Sequence, residues 1–317
     1  MTEKTEHINH GVVIRSTGSW YEVRTENGEI ISCKFKGKFK IAGIKSTNPI
    51  AVGDKVSFIR MKEDGTAVID SIKKRENYII RKSINLSKQT HIIAANIDHA
   101  FLVITISQPR TSLGFIDRFL LSAEAYHIPV VLVFNKLDLN TPEEQAIQDE
   151  WIEKYKLIGY KCLQTSAITG DGIDEMEELM KNGTNMFSGH SGVGKSALIN
   201  SIQPGFKLKT AEISGFNLKG RHTTTFAEMH PLDLGGYIID TPGIKEFGVV
   251  DIKKEDVGGY FPELREIMHL CKFNNCLHRK EPNCAVKEAV ENGSIAQSRY
   301  NNYLAIINDD DINKKPF

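Results

Sequence analysis

Gly189-His190-Ser191-Gly192-Val193-Gly194-Lys195-Ser196 is the stretch on which the fold turns. It matches G-x4-G-K-[ST] without a gap, and the run ALINSI that follows reads as a helix opening there. Glycines let the backbone curl so that successive N–H groups of Gly189, Ser191, Gly192, Val193 and Gly194 face a phosphate, and the helix N-terminus adds positive potential. Lys195 is placed to neutralise β- and γ-phosphates, and Ser196 to offer its hydroxyl to Mg²⁺. A loop of this kind sits between a buried parallel strand and a helix, so a doubly wound α/β domain is expected.

A phosphate loop alone does not choose the base. Upstream, the apolar run Val130–Phe134 leads directly into Asn135-Lys136-Leu137-Asp138. At the end of a buried strand, the Asp138 carboxylate can accept two hydrogen bonds from guanine N1–H and N2–H₂, which adenine cannot supply. Asn135 is expected to tie this loop to the phosphate loop, and the Lys136 stem to pack on the base. Ser166 and Ala167, after the strand pattern YKCLQ, fit a short loop that meets guanine O6.

Tyr237-Ile-Ile-Asp240-Thr241-Pro242-Gly243 completes the phosphate side. Asp240 is expected in the Mg²⁺ shell, and the Gly243 N–H at the γ-phosphate. Between lies Gly220-Arg221-His222-Thr223-Thr224-Thr225, where one threonine ligates Mg²⁺; Thr224 is taken, with Thr223 and Thr225 left open. Small GTPases run from the phosphate loop to Asn-Lys-x-Asp, and here the base-reading elements come first. Joining the old termini and cutting elsewhere keeps every part in its place in the sheet, so the order reads as a circular permutation. Ile244 stands where Ras-like enzymes carry the water-orienting glutamine. His222 is the nearest group in sequence that can position or deprotonate a water, and the other reading is that it caps the loop or contacts RNA.

Outward from this centre, Ala100–Ile106 reads as a second buried strand and Gly114–His127 as a helix, with another helix starting at Thr141. Residues 1–80 read differently. GVVIRS, WYEVRT, EIISCKF, VGDKVSFIR and TAVIDSI alternate apolar and polar residues, separated by Asn27-Gly28 and Asp64-Gly65. Five strands in that length fit a small barrel of the OB type. The three expected domains are a barrel at 1–80, a permuted P-loop GTPase domain at 81–250, and a mostly helical zinc-binding domain at 251–317.

Net charge is zero over 317 residues, but residues 31–62 hold eight Lys/Arg against one acid. That surplus suits a polyanionic partner, or else a solvated lysine-rich face. No uncharged apolar stretch is long enough to span a bilayer, and the polar start MTEKTEHINH lacks a signal-peptide core. A cytoplasmic chain without a membrane partner is expected. Cys271-x4-Cys276-x-His278-x5-Cys284 makes three thiolates and an imidazole, a closed set for one structural Zn²⁺. Cys33 and Cys162 fall in strands and read as small core residues.

A barrel, a permuted GTPase carrying G-H-S-G-V-G-K-S and G-R-H-T-T-T, and a Cys/His cluster together resemble the ribosome small-subunit-dependent GTPase A family over essentially the whole chain. The resemblance implies hydrolysis of GTP to GDP and phosphate, stimulated by the 30S subunit, in a late assembly factor that grips 16S rRNA. It also supports His222 as the catalytic residue. The segments before Gly11 and after Ile307 match no motif of the family. A monomer is expected. Two rival readings are a nucleic-acid-binding module holding GTP only as a structural ligand, and a P-loop ATPase or kinase.

Overall fold

The computed structural model describes residues 8–35, 49–61, 65–82, 90–206, 227–240 and 252–308, and the structural statements below concern these. The chain forms two compact units whose segments interleave in sequence: 1–99, 177–187 and 205–243 in one, 100–176, 188–204 and 244–317 in the other.

In the first unit, the alternating segments become β1 (Ile8–Ser16), β2 (Trp20–Arg24), β3 (Ile30–Phe35), β4 (Lys55–Arg60) and β5 (Ala67–Ile72). Strand pairs β1–β2, β2–β3, β5–β4 and β4–β1 are antiparallel and β3–β5 is parallel, which closes a five-stranded barrel. Alternation sets the inside: Ile31 and Cys33 point inward with Val13, Tyr21, Val23, Val56, Phe58 and Ile69, while Ser32 and Lys34 point out. A hairpin not visible in the pattern follows, β6 (Tyr78–Lys82) against β7 (Thr90–Ala95). Polar contacts from its flanking residues join it to the barrel. Arg75 donates to both oxygens of the buried Asp54 at 2.7 and 2.6 Å, and Asn96 Nδ2 donates to the Gly53 carbonyl at 2.9 Å.

The second unit opens with β8 (His99–Ile104), α1 (Leu113–Ala125), β9 (Val130–Asn135), α2 (Pro142–Ile158) and β10 (Lys161–Thr165). The strands pair in parallel in the order β8-β9-β10. Every residue of β9 is buried, which is why it reads as a continuous apolar run rather than an alternating one. Thr141 and Glu144 form a reciprocal capping box at the start of α2, and Gly159 closes it at φ 107°.

Next come α3 (Ile173–Met180), β11 (Thr184–Ser188), α4 (Lys195–Ile202), β12 (Glu228–Pro231) and β13 (Tyr237–Asp240). Within the first unit β11 runs parallel to β13, β13 antiparallel to β12, and β12 meets β1 at Arg15↔Glu228. The C-terminal part of the second unit carries α5 (Pro262–Ile267), α6 (Ala285–Glu291) and α7 (Gln297–Asn308). Val257, Phe261, Leu264, Val286, Tyr303 and Ile306 form its core together with Leu121 of α1. Among the described residues no helix is long and apolar enough to cross a membrane.

Candidate nucleotide site and metal centre

The loop after β11 makes its tight path with backbone that only glycine accepts readily. Gly189 sits at φ 135° with a Cβ position 2.4 Å from the Val103 carbonyl oxygen, and Gly194 at φ 99° with one 2.3 Å from Asn135 Nδ2. Lys195 Nζ donates to the carbonyls of Gly189 and His190 at 2.8 and 2.7 Å, so the loop itself orients the ammonium. Lys195 and Ser196 open α4, where the helix dipole favours an anion. Val193 is buried, and Ser191 and Gly192 are exposed.

Asn135, the last residue of β9, is buried and bridges two elements: its Nδ2 donates to Val193 O at 2.9 Å, and its Oδ1 accepts from Thr165 Oγ1 at 3.1 Å. The expected tie between the two loops is therefore present. Lys136 turns the chain left-handed at φ 67° and its Nζ donates to Gln108 O at 2.6 Å. Asp138 follows on a single 3-10 turn, Leu137–Leu139, and is exposed. The strand is buried, but the turn at Lys136 carries Asp138 out to the surface. Its Oδ1 accepts from Ser166 Oγ at 2.5 Å, and that hydroxyl in turn accepts the N–H groups of Ile168 and Thr169. Ser166 thus orients Asp138 as well as shaping the loop that contains Ala167.

Asp240 ends β13 and is buried, within the first unit. His222, Thr223, Thr224, Thr225 and Gly243 lie outside the described residues.

Cys271, Cys276, His278 and Cys284 converge, with all four ligand atoms within 4.8 Å of one another. Cys271 Sγ lies 3.5 Å from His278 Nδ1 and 3.9 Å from Cys284 Sγ, and His278 Nδ1 lies 3.4 Å from Cys284 Sγ. Metal–sulfur bonds of ~2.3 Å and metal–nitrogen bonds of ~2.0–2.1 Å give tetrahedral edges of about 3.8 and 3.5 Å. The edges among Cys271, His278 and Cys284 have those dimensions and Cys276 closes the set within 4.8 Å, so the residues fit a four-coordinate metal. Side-chain hydroxyls of α7 hold the backbone of the loop: Tyr300 Oη donates to His278 O at 2.5 Å, and Tyr303 Oη to Leu277 O at 2.9 Å. Burial pushes the Cys276 thiol up to about 12 and lowers the His278 imidazole, so His278 offers a neutral ring while the thiol needs a cation to lose its proton.

Residues 72–250 match the RsgA GTPase family and residues 10–69 the RsgA N-terminal domain. The chain belongs to the RsgA family. It is 54% identical over 299 residues to the small ribosomal subunit biogenesis GTPase RsgA of Bacteroides fragilis, covering 94% of this chain and 96% of that protein. The protein of the same name from Christiangramia forsetii is 55% identical over 305 residues, covering 96% and 97%. Among solved structures, YjeQ from Thermotoga maritima is 37% identical with a TM-score of 0.80, covering 96% of this chain and 98% of that one. YloQ, a circularly permuted GTPase, is 30% identical with a TM-score of 0.76, covering 100% of both chains. This RsgA-family chain is accordingly a GTPase, an enzyme that hydrolyses GTP, with its base-reading and phosphate-binding elements in permuted order.

Three ties in this RsgA-family chain carry no sequence signal. Gln108 holds Lys136 by a backbone carbonyl, which any residue could provide. Gln148 is buried on α2 and accepts from Asn140 Nδ2 at 3.0 Å, steadying the turn that bears Asp138. Arg299 is buried between units of charge far apart in sequence, donating to Asp117 on α1 at 2.7 Å and to Glu263 on α5 at 2.6 and 3.0 Å.

Proposed function

We propose that this GTPase acts on the maturing small ribosomal subunit, docking on the 30S particle and hydrolysing GTP there as a late assembly factor. The relatives named for small ribosomal subunit biogenesis, more than half identical over nearly the whole chain, support that partner. The observation that carries the site reading is the Asn135 bridge, which joins the base-reading strand to the phosphate loop across 58 residues of sequence. In this reading Asp138, Asn135, Lys136, Ser166 and Ala167 hold guanine. Gly189, Ser191, Gly192, Val193, Gly194 and Lys195 hold the phosphates, with the Gly243 N–H on the γ-phosphate. Ser196, Thr224 and Asp240 hold the Mg²⁺ that travels with GTP. His222 positions the attacking water, since Ile244 has no group to do so.

The barrel at 1–80 serves as the RNA-binding domain, meeting 16S rRNA through its basic segment. The 81–250 domain performs hydrolysis, and the 251–317 domain carries one structural zinc on Cys271, Cys276, His278 and Cys284. A closed four-ligand set leaves no position for a catalytic water, so the zinc holds the fold of the C-terminal loop. The protein works in the cytoplasm as a monomer.

Turnover of GTP measured with and without purified 30S subunits tests this reading. Stimulated hydrolysis is expected in the wild type. His222→Ala should lose about 10²-fold or more of the stimulated rate while GTP and 30S binding persist. Stimulated turnover at the wild-type rate in that variant removes His222 from the chemistry.

A further inference from the structure

Lys195 must be aimed, and the loop that aims it is itself held from outside. Its ammonium is fixed by two backbone carbonyls, one of them on His190. The His190 ring packs on Phe115, in the first turn of α1, with centroids 4.0 Å apart and planes tilted by 32°. Both residues are half-buried. Burial, and then the nearby Lys195, hold the His190 imidazole below its usual value. The ring is therefore neutral near pH 7 and sets no second cation against Lys195.

α1 is a firm base for such a contact. Ser112 Oγ caps it by accepting the Phe115 N–H at 3.2 Å. Two residues further on, the buried Asp117 accepts from Arg299, Tyr155 Oη and Asn302 Nδ2 at 2.7, 2.7 and 2.5 Å. The connection into the helix is pinned as well, with Thr111 Oγ1 accepting the Thr105 N–H at 3.2 Å and the Thr111 N–H returning to Thr105 O at 3.0 Å. Pro109, in the same connection, lies 3.5 Å from the Cβ position of Gly192.

We propose that Phe115 is a positioning residue for Lys195: by clamping the His190 ring it fixes the carbonyl that points the ammonium at the phosphates. A lysine stem has several rotatable bonds, and holding its head before the nucleotide arrives removes part of the ordering cost of binding. The inference rests on reading 189–196 as the phosphate loop. It predicts a loss confined to ligands that carry phosphate.

The test is titration of GDP and of guanosine into wild type, Phe115→Ala, Phe115→Tyr, His190→Ala, the Phe115→Ala/His190→Ala double variant and Lys195→Ala. An aromatic pair contributes on the order of 0.5–1.5 kcal/mol, which at ~1.4 kcal/mol per tenfold means that Phe115→Ala should weaken GDP about 2- to 12-fold and leave guanosine unchanged. Phe115→Tyr keeps the ring and should restore GDP affinity. His190→Ala should match the Phe115→Ala loss, and the double variant should lose no more than either. Wild-type GDP affinity in Lys195→Ala would remove the phosphate-loop reading itself. If Lys195→Ala loses GDP but Phe115→Ala binds it normally, or loses guanosine in equal proportion, Phe115 does not position Lys195.

Discussion

Replacing Arg299 by Met asks how firmly the C-terminal helices are bound to α1. Arg299 is 1% exposed. Its guanidinium makes one charged hydrogen bond to Asp117 and two to Glu263, and lies 4.5 Å from the Phe261 ring centroid. Methionine fills most of the volume but leaves two carboxylates with their cation gone. Asp117 retains Tyr155 Oη and Asn302 Nδ2 as donors, and Glu263 is the more severely stranded. Removing one partner of a buried ionic pair costs about 3–5 kcal/mol. At roughly 2–4 °C per kcal/mol for a unit of this size, the midpoint of thermal unfolding should fall by about 6–20 °C. Arg299→Lys restores the charge but cannot fork between the two acids, and should recover only part of the loss. Differential scanning calorimetry on the three proteins decides the matter. A midpoint for Arg299→Met within 2 °C of wild type, on the order of the effect of a surface change, would refute the assignment of this triad as the principal tie.

Gly194→Ala places a methyl 2.3 Å from Asn135 Nδ2 at a φ of 99°. A non-glycine residue in such backbone costs on the order of 1–3 kcal/mol, so GDP affinity by fluorescence titration should drop about tenfold or more. Cys276→Ala should remove metal from the C-terminal cluster, and one zinc per chain by mass spectrometry in that variant would show the ligand set to be wrong. Burial raises the thiols of Cys33 and Cys162 to about 12. At pH 8 their thiolate fraction is then about 10⁻⁴, and iodoacetamide should label neither in the native protein. Labelling of either at the rate of the unfolded chain would contradict that burial.

Much of the nucleotide site was legible because its chemistry demands local patterns. A phosphate cradle needs consecutive backbone N–H groups and tolerates few side chains, so Gly189, Gly192 and Gly194 stand close to Lys195 in sequence. A tetrahedral metal set needs soft ligands at short spacing, and Cys271, Cys276, His278 and Cys284 announce themselves within fourteen residues. The barrel was legible for another reason: strands with one wet face alternate, and β1 to β5 all fall where alternation places them. The hairpin β6–β7 escaped, since its strands flank a segment, 83–89, with no two-residue turn signal.

What the amino-acid sequence determined by itself was therefore the barrel strands β1 to β5, the permuted order of the nucleotide-binding elements and the identity of groups whose partners lie within a few residues. Tertiary structure alone decided the rest. Asp138 is exposed because the left-handed turn at Lys136 bends the chain away from the buried strand, a direction no four-residue motif encodes. Asn135 meets Val193, Phe115 meets His190 and Arg299 meets Asp117 only because packing of helices on parallel strands closes separations of 58, 75 and 182 residues. Such contacts depend on the fold as a whole, since each depends on where apolar faces far from both partners come to rest.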